Sequence, residues 1–598
     1  MPITRREFIK SSALGIAAAA CPSPEEAAEA SPREPLRALP YSAVQITDGP
    51  FAGHYNAIHA HYLSLSNDRL LKVYRQRAGL PAPGEDMGGW YDLQGFVPGH
   101  SLGQYISGLA RIGASTGDRS CIEKVRNLVG GFTETLGPKN ESILRPQTNQ
   151  WICYTLDKHF VGLIDAAKLA GDTSSIPVLN RVLQGAEPLL PPEVHDRIGK
   201  KDPPYDEPYV MPENLFLAAE LSGNTRFGDL ALRYLLDHDL FDPLARGEDP
   251  FPSQHAYSHV IALSSAGQAY LRLGDDKYKR AMANAFRLLT TTQQFASGGW
   301  GPNETLITPH RGELFNSLST TIDHFETPCG SYAATKLARY LLCTSTPQST
   351  EHADNLERIL LNGILAVRMP DSDGDYPYYS TYSDAARKVF YPSKWPCCSG
   401  TLVQTVADYP LNIGFTSDDG FYVVLYTPSR MRFSRGSTTI QIEQMTAFPA
   451  GDTVSMKISL NNPARFTLYL RLPRWLSRPP SISINGRSVT LVASRGSFEP
   501  VSRTWHDGDR IDLTLPLDFR TEPIDDLHPN TVALLRGPVQ YVAVEASNER
   551  VNGRRLLPSS LKQIGAEAFV QNDAGRKTVF VPLRSVVNEI YTSYFNKA

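Results

Sequence analysis

Between residues 100 and 345 the chain repeats one local pattern, and that repeat narrows the fold more than any other feature. Apolar stretches with three- and four-residue spacing, such as Leu102-Tyr105-Ile106-Leu109-Ile112 and Phe160-Leu163-Ile164-Ala167, end at Ser115-Thr116-Gly117-Asp118, Leu169-Ala170-Gly171-Asp172, Leu221-Ser222-Gly223-Asn224 and Leu273-Gly274-Asp275. The glycines recur a little over 50 residues apart and read as helix C-caps, so each unit is one helical hairpin. A fifth helix ends near Cys343-Thr344, and a sixth unit is expected around Asn355 to Val367 and Leu402 to Tyr409. Six such hairpins form a closed (α/α)6 toroid, and the polar loops between them would line a central pocket.

After Pro410 the apolar period changes from 3.6 to 2. Gly420-Phe421-Tyr422-Val423, Ser455-Met456-Lys457-Ile458 and Phe466-Thr467-Leu468-Tyr469-Leu470 read as strands, with turns at Asn485-Gly486 and Asp507-Gly508-Asp509. The expected organisation is a leader and linker over 1–40, the toroid over 41–410 with an extended N-terminal segment, a β-sandwich over 411–525, and a second small β-module or an extension of the sandwich over 526–598.

The leader carries Thr4-Arg5-Arg6-Glu7-Phe8-Ile9-Lys10 before an alanine-rich run, the form of a twin-arginine export signal. Cys21 after Ala18-Ala19-Ala20 offers a lipid anchor as an alternative to simple cleavage. No later apolar run reaches the roughly 18 residues of a membrane span. Twin-arginine export moves folded protein, so a thiolate site can be assembled before crossing. A net charge of -3 without charge blocks gives no sign of a nucleic-acid or polybasic membrane surface, so a neutral or small ligand is expected.

The chemistry gathers in one span. It holds Gly312-Glu313-Leu314-Phe315, then Phe325-Glu326-Thr327-Pro328-Cys329, then Trp395-Pro396-Cys397-Cys398-Ser399-Gly400. Three of the seven cysteines stand with two carboxylates, and Glu326, Cys329, Cys397 and Cys398 could complete a tetrahedral zinc site. Adjacent ligating cysteines require a kinked backbone, which Pro396 before and Ser399-Gly400 after would permit. A structural zinc or a vicinal disulfide is the competing reading. Cys121, Cys153 and Cys343 sit in apolar helical surroundings and read as core residues.

These elements, in this order, resemble the β-L-arabinofuranosidases of glycoside hydrolase family 127. Gly99-His100-Ser101-Leu102-Gly103-Gln104-Tyr105 resembles the family's Gly-His-x-Leu-Gly-His-Tyr, Tyr154-Thr155-Leu156-Asp157-Lys158 its Tyr-Thr-Leu-His-Lys, and His255-Ala256-Tyr257 its His-Ala-Asn; Arg536-Gly537-Pro538 with Tyr541 matches a late Arg-Gly-Pro segment. The resemblance implies a retaining exo-glycosidase acting on an oligo- or polysaccharide, periplasmic or extracellular. Carried over by motif, Cys397 is a zinc-bound nucleophile, Glu313 the acid/base, and Glu326, Cys329 and Cys398 the remaining zinc ligands. His255, Asp157, His100 and Trp300 would line the sugar site, with Trp90 and Trp395 as further stacking candidates.

The sequence also departs from the family. Glu-Thr-Cys becomes Glu326-Thr327-Pro328-Cys329, the Cys-Cys-Pro-Pro-Asn loop becomes Cys397-Cys398-Ser399-Gly400-Thr401, and two sugar-binding histidines become Asp157 and Pro208. A differently decorated sugar is therefore expected. Glu304 in the Gly298-to-Glu304 loop competes with Glu313 as the acid, while Asp323 and His324 are candidates for supporting the metal site. Two other functions stand against the glycosidase: a zinc enzyme activating an external thiol, disfavoured because Ser399 rather than His follows Cys398, and an exported glycan-binding protein with a structural zinc.

Overall fold

The structure is a computed structural model that describes residues 33–138, 151–197, 206–345, 347, 349–369, 373–545, 555–573 and 575–597. The twin-arginine segment, Cys21 and most of the linker lie outside the described residues. Among those described, no helix is long and apolar enough to cross a membrane.

Six helices buried on nearly every face form an inner ring: Leu102–Thr116, Ile152–Leu169, Pro212–Ser222, Ala256–Leu273, Thr327–Cys343 and Cys398–Ala407. Each packs on the next, and the sixth returns to the first. The closing seam is polar, with the Gln104 amide donating to Gln404 Oε1 at 2.8 Å and Tyr105 bonded to Ser399 at 2.6 Å. Elsewhere the ring is tight: a Cβ on Gly103 would lie 1.8 Å from the Lys158 carbonyl oxygen, so only glycine lets these two helices approach.

The repeat is explained by cap chemistry. Gly117, Gly223 and Gly274 end inner helices in the left-handed conformation, with φ of 74°, 68° and 72°. The following Asp118, Asn224 and Asp275 then cap the outer helices Arg119–Glu134, Thr225–Arg233 and Asp276–Leu288, each side chain accepting from a backbone N–H two residues on. Each glycine followed by its Asp or Asn cap is thus a hairpin corner. The sixth outer helix is not the partner expected from the sequence: Glu351–Ile359 packs outside the fifth inner helix, and Gly49–Ser64, from before the first repeat, packs on Cys398–Ala407 and closes the toroid.

Behind the toroid two sheets of five and seven strands form the sandwich. Alternation along Ser429–Arg435 points Met431 and Phe433 inward and Arg430 and Arg432 outward, and Phe433 stacks on Phe421 of the facing sheet at 4.5 Å. The N-terminal segment adds an edge strand to each sheet, Arg37–Ala38 beside Gly414–Thr416 and Val44–Ile46 beside Ser429–Arg435. A third sheet of nine strands begins at Phe519, ahead of the boundary expected at 526, and runs to Lys597.

Buried charge joins toroid and sandwich. Arg471, fully inaccessible, pairs with Glu357 of the helix Glu351–Ile359 and with Asp354 at 2.6 Å, while Trp475 donates to Glu357 at 3.0 Å. Glu357→Ala leaves this guanidinium buried with a single remaining carboxylate. The expected loss is about 3 kcal/mol of unfolding free energy, read by chemical denaturation.

Candidate active site

The N-terminal ends of the six inner helices, or the residues just before them, converge on one cavity of about 760 Å³. Val97 precedes the first helix, Trp151 and Tyr154 open the second, and Glu207 precedes the third; His255 caps the fourth, Glu326 the fifth and Cys397 the sixth. Helix N-termini carry partial positive charge, so this end of the ring favours thiolate and carboxylate. Arg197, Tyr257, Glu304, Tyr378 and Tyr391 complete much of the wall, with Trp90 and Phe96 beside them.

The three thiols meet at the cavity floor. Their sulfurs are 3.4 Å apart between Cys329 and Cys397, 3.5 Å between Cys329 and Cys398, and 4.0 Å between Cys397 and Cys398. All three are free cysteines, which removes the vicinal-disulfide reading. Thiolates sharing a tetrahedral zinc at about 2.3 Å would be about 3.8 Å apart, so the trio has the spacing of a metal-binding face. Glu326 adds a second fitting observation: its Oε2 is buried without a hydrogen-bond partner, 4.0 Å from His255 Nε2.

Two local backbone features make the trio possible. Pro328 occupies the first turn of Thr327–Cys343, where its missing N–H costs nothing, so the inserted residue leaves Glu326 at the helix cap and Cys329 in the first turn. The kink before the paired cysteines falls at Trp395, whose φ of 53° is left-handed and whose indole is fixed by donating to the Met87 carbonyl at 2.7 Å.

The thiols are not equivalent. Cys397 retains 6% exposure and lines the cavity, whereas Cys329 and Cys398 have none. Burial pushes every one of them up. At Cys397 the hydrogen bonds from Cys329, Cys398 and Tyr378, with the His100 ring nearby, outweigh burial and hold it well below the ordinary thiol value. Cys329 is driven up by burial and by its bond to Cys397, against the opposing bond to Cys398, and Cys398 is driven up by burial and by its bonds to both other thiols, which leaves Cys397 the most readily deprotonated of the three. Burial, reinforced by Glu304 and Cys397, also raises the Glu326 carboxyl.

Glu304 lines this thiol's cavity together with Glu207 and Glu326. It is buried, accepts from the Tyr379 hydroxyl, and sits with Asn303 in left-handed backbone, φ 60° and 56°. The strained pair is held by Asn303 N–H donating to the Asp323 carbonyl at 2.5 Å and Glu304 N–H to Gly301 at 3.0 Å. Asp323 thus supports the Glu304 loop through its backbone. His324 is buried beneath, bonded to the Ser317 carbonyl and the Tyr382 N–H.

Other sequence candidates lie elsewhere. Glu313 opens the helix Glu313–Thr320, half-exposed and outside the cavity lining; that helix is docked on a distant loop by Phe315 N–H donating to Asp525 and by Phe315 stacking on His528 at 3.9 Å. Asp157 is below the cavity floor, bound to Lys158 at 2.8 Å and to Asn214 at 2.6 Å. Trp300 and Trp395 are fully buried core rings. His100 is also fully buried, its Nδ1 bonded to the Val97 carbonyl at 2.7 Å, and burial lowers its pKa to about 4. Of the sugar-site candidates, His255 and Trp90 do line the cavity. Sequence reasoning missed Arg197, Tyr378 and Tyr391. The run Tyr376-Pro377-Tyr378-Tyr379 was a signal for the tyrosine, while Arg197 carried none.

A helical toroid that surrounds aromatic faces, paired carboxylates and a charge-bearing thiol with its helix N-termini has the parts of a carbohydrate-cleaving enzyme: platforms for sugar rings, proton-transfer groups and a nucleophile. Two family models agree with it. The GH127 catalytic domain of β-L-arabinofuranosidase matches residues 43–411 and the GH127 middle domain matches residues 420–517. The chain belongs to the GH127 β-L-arabinofuranosidase family and is a glycoside hydrolase. Among solved structures it is similar to Ara127N-Se, a GH127 β-L-arabinofuranosidase from Geobacillus stearothermophilus T6, with TM-score 0.70 and 17% identity over 93% of this chain and 100% of that one. It is also similar to the GH127 β-arabinofuranosidase BT3674, with TM-score 0.73 and 15% identity over 95% and 99% of the two chains. At these identities the likeness concerns the fold. No curated protein sequence matches the chain.

Proposed function

We propose that this enzyme removes a terminal β-L-arabinofuranosyl residue, or a closely related sugar, from plant or microbial glycans with retention at the anomeric carbon. The observation that carries this reading is the inequality of the thiols: of the three, Cys397 alone lines the cavity, and Glu304 lines the same cavity.

Cys397 sulfur attacks the anomeric carbon as the glycosidic C–O bond breaks, and Glu304 gives its proton to the leaving oxygen. Glu304 then takes a proton from water; the water oxygen bonds to the anomeric carbon, the C–S bond breaks, and Cys397 returns to the thiolate. Zinc, held by Cys329, Cys397, Cys398 and Glu326, would keep the Cys397 sulfur deprotonated. Tyr379 steadies the Glu304 carboxyl. His255 Nδ1 accepts from the Ser258 N–H at 3.3 Å, which leaves Nε2 as the protonated nitrogen and a donor to a sugar hydroxyl. Glu207, ion-paired with Arg197, offers further hydrogen bonds on the wall. The twin-arginine pattern at Thr4 to Lys10 supports export of the folded enzyme.

The test is a hydrolysis screen of aryl furanosides and pyranosides in both enantiomeric series, with uronic and deoxy analogues. The first-formed anomer is read by NMR and metal content on the same preparation. Release of the β-furanose first, with a single zinc per chain, is expected. An inverted product, or binding without release, would overturn the reading.

A further inference from the structure

Two loops meet at the Glu304 carboxyl. Glu304 ends one of them, and Tyr379, whose hydroxyl donates to it, belongs to the other. That second loop is closed at its base by Tyr391 N–H donating to the Tyr376 carbonyl at 2.7 Å, and it gives Tyr378 and Tyr391 to the cavity wall. Tyr379 and Ser380 pair with Glu326 and Phe325, and at Thr381 the chain leaves that short ladder. The next anchor comes from the third sheet, 210 residues later in the chain. Tyr591, on the strand Ile590–Thr592 that pairs with Val539–Glu545, donates its hydroxyl to the Thr381 carbonyl at 2.8 Å and lies 3.1 Å from the Thr381 hydroxyl. Its backbone exchanges two hydrogen bonds with Ala386, at 2.9 and 3.0 Å. Close by in sequence, the Tyr594 hydroxyl accepts from Ala296 N–H at 3.0 Å, at the foot of the Glu304 loop, and Ser297 there bonds to Tyr382 of the wall loop. One short segment of the third sheet therefore grips both loops.

We propose that Tyr591 is a positioning residue for proton transfer: by fixing Thr381, two residues from Tyr379, it sets the Tyr379 hydroxyl against Glu304. The third sheet then takes part in the acid/base step although none of its described residues lines the cavity. The proposal rests on the reading of Glu304 as the acid/base group. Tyr591 is fully buried, so loss of its hydroxyl leaves the Thr381 carbonyl short of a donor in a place water does not readily reach. The wall loop then shifts to recover one, and a carboxyl aimed less well at the leaving oxygen transfers its proton more slowly.

The test is a double-mutant cycle of Tyr591→Phe and Tyr379→Phe in the full zinc-loaded enzyme, with methyl and dinitrophenyl glycosides of the sugar that the screen selects. Tyr591→Phe keeps the aromatic ring and the backbone bridge to Ala386. It is expected to lower kcat about fivefold on the methyl glycoside, whose leaving group needs a proton, to leave kcat on the dinitrophenyl glycoside within about twofold, and to change KM little on either. Tyr379→Phe should show the same substrate dependence, and the double variant should be no slower than Tyr379→Phe alone, because both changes act through one hydrogen bond. Equal losses on the two substrates, no loss on either, or losses that multiply in the double variant would overturn the proposal. Failure of the acid/base reading has a different signature: Glu304→Gln would then lose equally on both glycosides.

Discussion

Cys397→Ser is expected to lower kcat by roughly 10⁴-fold or more while the protein stays folded, because it removes the group that forms the new bond to the anomeric carbon. A serine hydroxyl is the wrong replacement here. Its proton is held far more firmly than a thiol's, and the hydrogen bonds that pull the Cys397 thiol below its ordinary value come from two sulfurs and Tyr378 arranged around a large, polarisable atom. Cys329→Ser should behave differently. Its side chain is inaccessible and faces the other sulfurs, so its loss should weaken metal retention first and turnover in consequence. Loss of zinc and turnover together in Cys329→Ser, with zinc partly kept and turnover abolished in Cys397→Ser, is the pattern a nucleophilic Cys397 requires.

The second large effect separates two glutamates. Glu304→Gln is expected to cost roughly 10²- to 10⁴-fold in kcat on substrates whose leaving group needs a proton, and much less on dinitrophenyl glycosides, whose leaving group does not. Glu313→Gln should stay within about twofold of the parent on both, since Glu313 lies outside the cavity on a helix fixed to the Asp525–His528 loop. Kinetics of the two variants on paired substrates of high and low leaving-group acidity decide between them. A large, leaving-group-dependent loss in Glu313→Gln would return the acid/base role to that residue.

That contrast shows what was legible in the sequence. The hairpin corners could be read because a glycine in left-handed backbone and an Asp or Asn capping the next helix are local devices with a fixed spacing. Closure of the ring by Gly49–Ser64 could not, since that helix meets its partner more than 300 residues away in the chain and does not follow an inner helix through such a corner. The thiol cluster was legible because ligating side chains are rare and stood close together. The choice of acid was not: Glu304 and Glu313 each follow a glycine within three residues, and what distinguishes them is a strained loop held by the Asp323 carbonyl against a helix held by a contact from the third sheet. Asp157 makes the same point about charge. Read alone it adds a carboxylate to the sugar pocket, whereas in the fold Lys158 and Asn214 hold it below the floor. Pro328 illustrates the reverse, a change that looks disruptive in a motif and is absorbed because proline suits the first turn of a helix.

Where the sugar is held between the two chemical steps decides whether Cys397 is the nucleophile. In Glu304→Gln, a dinitrophenyl furanoside of the sugar that the screen selects should load the enzyme faster than water unloads it. Proteolysis followed by mass spectrometry should then find one glycosyl residue on the peptide containing Cys397 and Cys398, with fragmentation placing it on Cys397. A glycosyl adduct on Glu207 or Glu326, or rapid turnover in this variant with every cysteine unmodified, would contradict a cysteine nucleophile.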